Sequence, residues 1–149
     1  MASLLDIAKR SQQYVDNLND NIDRVINYPV IEEQLTDLNR KQLLLSTGND
    51  GAPLIHQMTG SPRLSKAYAK RTGKTYPNIF LSGAYQKEMF TDSEYGKGIY
   101  RQSSFNHLVK YLPDNYKNMH GVNKMNQPKA QEITSKAIAE DYQKFIGLT

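Results

Sequence analysis

The sequence predicts an α+β protein with long N-terminal helices, a small antiparallel sheet and a C-terminal helix. Three observations carry that expectation. Apolar residues recur every three or four positions through residues 4–45, the spacing of one helix face. Two short runs, "YQKEMFTD" at 85–92 and "IYRQSS" at 99–104, flank "SEYGKG" and read as the arms of a hairpin with a loop longer than two residues. A last apolar stripe, Ala130, Ile133, Ala137, Tyr142 and Phe145, places a helix over about 128–146.

The first helix is expected over 3–27, with Leu4, Ile7, Ser11, Tyr14, Leu18, Ile22 and Val25 on one stripe and Ser3 as its cap. Pro29 ends it, because proline disfavours helical geometry in the residue before it. A second helix follows over about 30–45, with Ile31, Leu35, Leu38 and Gln42 in line and Leu43-Leu44-Leu45 expected to be buried. "NYP" between the two suggests a helical hairpin or a kinked arm. "STGNDGAPL", residues 46–54, is a loop, since Asn49-Asp50-Gly51 supplies turn chemistry. "GSPRLSKAYAKRTGK", residues 60–74, reads as a short basic helix capped by Ser61, with Pro62 at its first position and Gly73 at its end. Leu64 and Tyr68 would form its buried stripe. Ser104 opens another short helix, "FNHLVKYL", stopped at Pro113, and residues 113–128 are irregular. Asn126 is the expected cap of the last helix and Gly147 its stop.

The chain has 149 residues, enough for one domain with a real core: a helical arm or hairpin over 1–45 and an α+β core over 46–149. It has no cysteine, which excludes disulfides and thiolate metal sites. The start is not read as a signal peptide, because Asp6, Lys9 and Arg10 interrupt a short apolar run. No segment reaches the roughly 20 apolar residues of a membrane span, so a soluble chain without membrane contact is expected. The net charge of +4 is unevenly placed. Residues 46–87 hold six bases against the single acid Asp50, whereas residues 1–45 hold five bases against seven acids. Arg63, Lys66, Lys70, Arg71 and Lys74 lie within twelve residues and form a basic patch facing either solvent, a partner protein or DNA.

No catalytic or cofactor motif is written in the chain. Gly73-Lys74-Thr75 has the end of a phosphate loop, but Tyr68 stands where the first glycine is required. Ser82 lacks the flanking glycines of a nucleophile elbow, with Phe80 and Ala84 in their places. Ser82-Gly83 is therefore read as a bend, with Leu81 and Tyr85 packing around it. His56, His107 and His120 lack ligand spacing, and the carboxylate pairs Glu32-Glu33 and Glu140-Asp141 splay around helix faces. Ten tyrosines without a tryptophan suit interfaces and core rims alike.

Three stretches together resemble phage head–tail joining and tail-completion proteins of the kind found in phages of Bacteroides-like bacteria. "LNRKQLLLSTGNDGAPL" is similar to the family's Leu-Asn-Arg-x-Gln-Leu and glycine loop. "SPRLSKAYAKRTGK" is similar to its basic segment. "LSGAYQKEMF" is similar to its Leu-x-Thr-Gly motif, with Leu81, Ser82, Gly83, Tyr85 and Phe90 in the matching places. The resemblance covers about residues 38–149, and the sequence departs from it in having Ser82 for threonine and Glu88-Met89 before Phe90. It implies a structural virion protein, a neck or tail-end ring component assembled in the host cytoplasm. Such a protein would use no catalysis and no cofactor, and its partners would be its own copies and neighbouring portal, adaptor or tail proteins. The bend of residues 81–90 would then start the core sheet. The alternative is a nucleic-acid-binding accessory protein that uses the basic segment 63–74.

Overall fold

The computed structural model describes residues 2–77, 83–94 and 97–148. Among them are helices α1 (Leu4–Asp16), α2 (Leu18–Ile26), α3 (Pro29–Leu44), α4 (Lys66–Thr72), α5 (Ala84–Lys87), α6 (Leu112–Asn115) and α7 (Gln127–Ile146). Strands β1 (Met89–Glu94) and β2 (Ile99–Ser104) pair as a two-stranded antiparallel sheet, and a 3-10 turn spans His107–Lys110. The α+β class is as the sequence predicts: helices first, a small sheet, and a helix last.

Local chemistry explains most of the boundaries and corrects several. Ser3 caps α1 through a reciprocal box: its hydroxyl accepts from the Asp6 N–H at 3.2 Å and its own N–H donates to the Asp6 carboxylate at 3.1 Å. The single helix expected over 3–27 is broken at Asn17, whose φ of −110° leaves helical geometry. The Asn21 carboxamide donates to the Tyr14 carbonyl at 2.9 Å, the acceptor that a continuous helix would give to the Leu18 N–H. Pro29 opens α3, where the missing N–H costs nothing. The first hairpin arm is also shorter than expected. Residues 84–87 form a helical turn, closed by Lys87 N–H to Gly83 O at 3.0 Å, and the strand begins at Met89. Near the other end, Asn106 caps the 3-10 turn through the Leu108 N–H, and Pro113 sits inside the first turn of α6 rather than stopping a helix.

The chain groups into two compact units. One comprises residues 1–35, 91–101 and 129–149, the other residues 36–90 and 102–128. In the first, Tyr14 is buried edge-on against Tyr142 and Phe145, with ring centroids 5.2 and 5.5 Å away. Val25, Ile26, Leu35, Ala130, Ala137 and Ile146 are also buried in it. The Asp141 carboxylate accepts from the Tyr14 hydroxyl at 2.9 Å, the Tyr28 hydroxyl at 2.9 Å and the Arg24 guanidinium at 2.6 Å. Burial alone would raise this carboxyl, but the three donors outweigh it and hold it below its ordinary value. The hairpin end is tied to α2: Asn27 donates to Ser93 Oγ at 3.0 Å, and Gly98 N–H to the Asp23 carboxylate at 3.1 Å.

In the second unit the core is Leu43, Leu54, Tyr85, Met89, Tyr116 and Met119, flanked by Leu108, Val109 and Leu112. The leucine run expected to be buried is split. Leu43 is fully buried, while Leu44 and Leu45 are 48% and 78% exposed. A helix face is about 100° wide, and three successive residues turn through roughly twice that, so the core holds only one of them. Buried polar side chains do much of the joining. Asn39 Nδ2 donates to Met119 O at 3.0 Å, while Gln42 Nε2 donates to Gly121 O at 2.8 Å and Gln42 Oε1 accepts from Asn123 N–H at 2.9 Å. These carboxamides supply the backbone partners that a non-repetitive segment lacks, so residues 116–123, although irregular, are packed with Tyr116, Met119, Val122 and Asn123 buried. Asn123, not Asn126, accepts ahead of α7: its side chain takes the Asn126 N–H at 3.1 Å and its carbonyl the Gln127 N–H at 2.9 Å.

Candidate interaction surface

The basic segment folds differently from its sequence reading. Ser61 does not cap the helix; its hydroxyl accepts from the Arg63 N–H at 3.1 Å in a tight turn. The Leu64 N–H bonds the Thr75 carbonyl at 2.8 Å, which commits that backbone to a cross-loop contact and keeps the helix from starting there. Ser65 is the cap instead, accepting from the Tyr68 N–H at 3.3 Å, and α4 begins at Lys66. Gly73 closes it in the left-handed conformation at φ 71°, and the last-turn cations Lys70 and Arg71 match the negative end of the helix dipole. Arg63 therefore lies off the helix. Lys66 and Lys70 share a face four residues apart, and Arg71 turns away to lie 5.1 Å from the centre of the Tyr68 ring. Leu64 and Tyr68 are half-buried.

Beside this segment is a shallow hollow of about 450 Å³. Its walls include Leu44, Leu45, Pro53, Lys74, Thr75 and Tyr76. The Arg63 guanidinium lies over the Tyr76 ring, 5.9 Å from its centre, which joins the basic segment to the rim of the hollow. Arg63, Lys66, Lys70 and Arg71 are exposed and Lys74 is half-buried. No acidic residue occurs between Asp50 and Glu88, so the segment beside the hollow is one-signed. Leu44 and Leu45, misplaced in the core by sequence reasoning, are thus the apolar part of this surface. A run of three leucines at a helix end followed by a basic stretch was the signal for it.

The expected bend lies elsewhere in the same unit. Gly83 takes φ 78° and leads into α5, Tyr85 is buried, and Phe90 stacks on Phe105 with centroids 4.2 Å apart. Leu81 and Ser82 fall outside the described residues. The step from α5 into β1 is held by a contact invisible in sequence: Arg40 Nε donates to Gln86 O at 2.6 Å and its terminal nitrogen to Met89 O at 3.2 Å. The histidines are structural where partners are seen. His120 Nε2 shares a 2.7 Å hydrogen bond with the Tyr85 hydroxyl, and burial lowers its pKa to about 4, keeping it neutral. His56 accepts from the Met58 N–H at 3.2 Å and lies edge-on to Tyr116. Among the described residues no group of three or more His, Asp or Glu side chains is placed to hold a metal ion, and no helix is long and apolar enough to cross a membrane.

No protein-family model, no curated protein and no solved structure matches the chain.

Proposed function

We propose that this chain is a structural component of a phage virion, a head–tail connector or tail-completion protein that works as a multimer and forms a ring in the particle. The three motifs at 38–54, 61–74 and 81–90 support the reading by resemblance. One observation carries it physically: an exposed apolar hollow lined by Leu44, Leu45 and Tyr76 adjoins a one-signed basic segment. A surface that combines apolar anchors with one-signed charge suits a protein neighbour, because burial supplies affinity and charge supplies register. Its neighbours would be its own copies and portal, adaptor or tail proteins, and assembly would take place in the host cytoplasm. Deleting the gene from its phage tests this: negative-stain images should show filled heads without joined or finished tails. Normal, infectious particles would overturn it.

A second reading is favoured by the five cations within residues 63–74. A nucleic-acid-binding accessory protein would set them against phosphates. Replacing Lys66, Lys70 and Arg71 with glutamine would then weaken binding to a nonspecific duplex and flatten its salt slope by about 0.9 per lost phosphate contact. No duplex binding by the unaltered chain at low salt would exclude this reading.

A further inference from the structure

We infer that the basic hollow is the docking site for the α1–α2 elbow of a second copy of this chain, giving a head-to-tail contact. The inference rests on the multimeric reading above and names the two surfaces that would meet. The first observation is charge. The unit made of residues 1–35, 91–101 and 129–149 holds eleven acids and eight bases, a net −3, and the other unit holds four acids and eleven bases, a net +7. Two copies therefore attract most strongly when unlike units face each other, and like units repel.

The second observation is the chemistry of the elbow. Where Asn17 breaks the helix, Val15 and Leu18 stand 60% and 41% exposed. Asp16 and Asp20, both exposed, stand beside them around a small hollow of about 280 Å³. No base lies between Arg10 and Arg24. The elbow thus presents two aliphatic side chains flanked by two carboxylates. The hollow offers the complement, with Leu44, Leu45 and Tyr76 beside Lys74, and with the Arg63 guanidinium over the Tyr76 ring. Aliphatic anchors would be desolvated at the centre and the carboxylates would meet lysines at the rim, the usual anatomy of a specific interface. Because the two surfaces differ, each copy keeps one of each kind for a further copy, so the contact propagates into a closed ring or an open chain.

Sedimentation velocity on the purified full chain tests it. At low ionic strength the average mass should climb above the 17.0 kDa of one chain as concentration rises, and it should fall back at high salt, where screening shortens to a few ångströms. Two variants then reverse one surface each: Arg63→Glu, Lys66→Glu, Lys70→Glu in the basic segment beside the hollow, and Asp16→Lys, Asp20→Lys on the elbow. Each alone should stay monomeric, with association weakened at least about tenfold. An equal mixture should associate again, because the two reversals complement each other. Should the triple variant fail to fold, Leu45→Glu, on a side chain 78% exposed, gives the same loss. An unaltered chain that stays monomeric throughout, or an elbow variant that associates as well as the unaltered chain, would overturn the inference. A monomeric chain whose deletion still leaves unjoined heads would keep the virion reading and assign the hollow to another protein.

Discussion

Asp141 and His120 show how single side chains set the pH response. Asp141 is held ionised by Tyr14, Tyr28 and Arg24, so its contribution to stability is present above its unfolded pKa near 3.8 and is lost as pH falls through the lower folded value. Asp141→Asn should cost about 1.5–3 kcal/mol at neutral pH, the range for hydrogen bonds to a charged group, read from the shift in urea midpoint at constant slope. His120 acts in a different window. Its folded pKa is lowered to about 4 from 6.5, so between those values the unfolded chain binds a proton that the folded chain refuses. Stability should therefore fall as pH drops from 6.5 towards 4, by up to about 3 kcal/mol, and then level off. His120→Gln removes the titrating group and should flatten this segment of the stability–pH curve. An unchanged slope in that variant would contradict the burial account.

The helix ends are where sequence and structure differ most usefully. Ser61 and Ser65 are both plausible caps by type, yet only Ser65 accepts from the α4 backbone. Ser65→Ala should cost about 0.5–2 kcal/mol locally and speed amide exchange at Tyr68, whereas Ser61→Ala should leave that amide unchanged. The step at Gly83 is stiffer. Its φ of 78° is a conformation that a side chain with a Cβ enters at a cost of about 1–2 kcal/mol, and a β-branched one at more. Gly83→Val should therefore lower the thermal midpoint well beyond Gly83→Ala. Equal midpoints for the two variants would mean that the backbone relaxes out of this region.

Charge is divided unevenly along the chain, and the hollow beside Lys74 places the exposed leucines next to its most basic part. Neutralising Lys66, Lys70 and Arg71 with glutamine should lower folding stability by only about 1–2 kcal/mol, the sum of an exposed cation–π contact and weak dipole contacts at the end of α4. Assembly of particles should fail in the same variant. A large loss of thermal stability would instead show that these cations hold the fold together.

The helix period of residues 4–45, the glycine-bearing turn before β2, the last helix and the acid-free stretch after Asp50 were all legible in the sequence. Each depends on neighbours within a turn or two, where spacing and residue type act directly. The basic segment was legible as a run of charge but not as a shape. Which leucine of Leu43-Leu44-Leu45 enters the core depends on α3 facing Tyr116 and Met119, more than 70 residues further along the chain. The buried order of residues 116–123 depends likewise on Asn39 and Gln42 reaching 80 and 79 residues along the chain to Met119 and Gly121. Arg40 holding Gln86 and Met89, and Leu64 pairing with Thr75 to delay α4, belong to the same class. No local pattern encodes such bonds, because their partners come within reach only after the chain has folded, and an unmet buried carbonyl costs enough to select them.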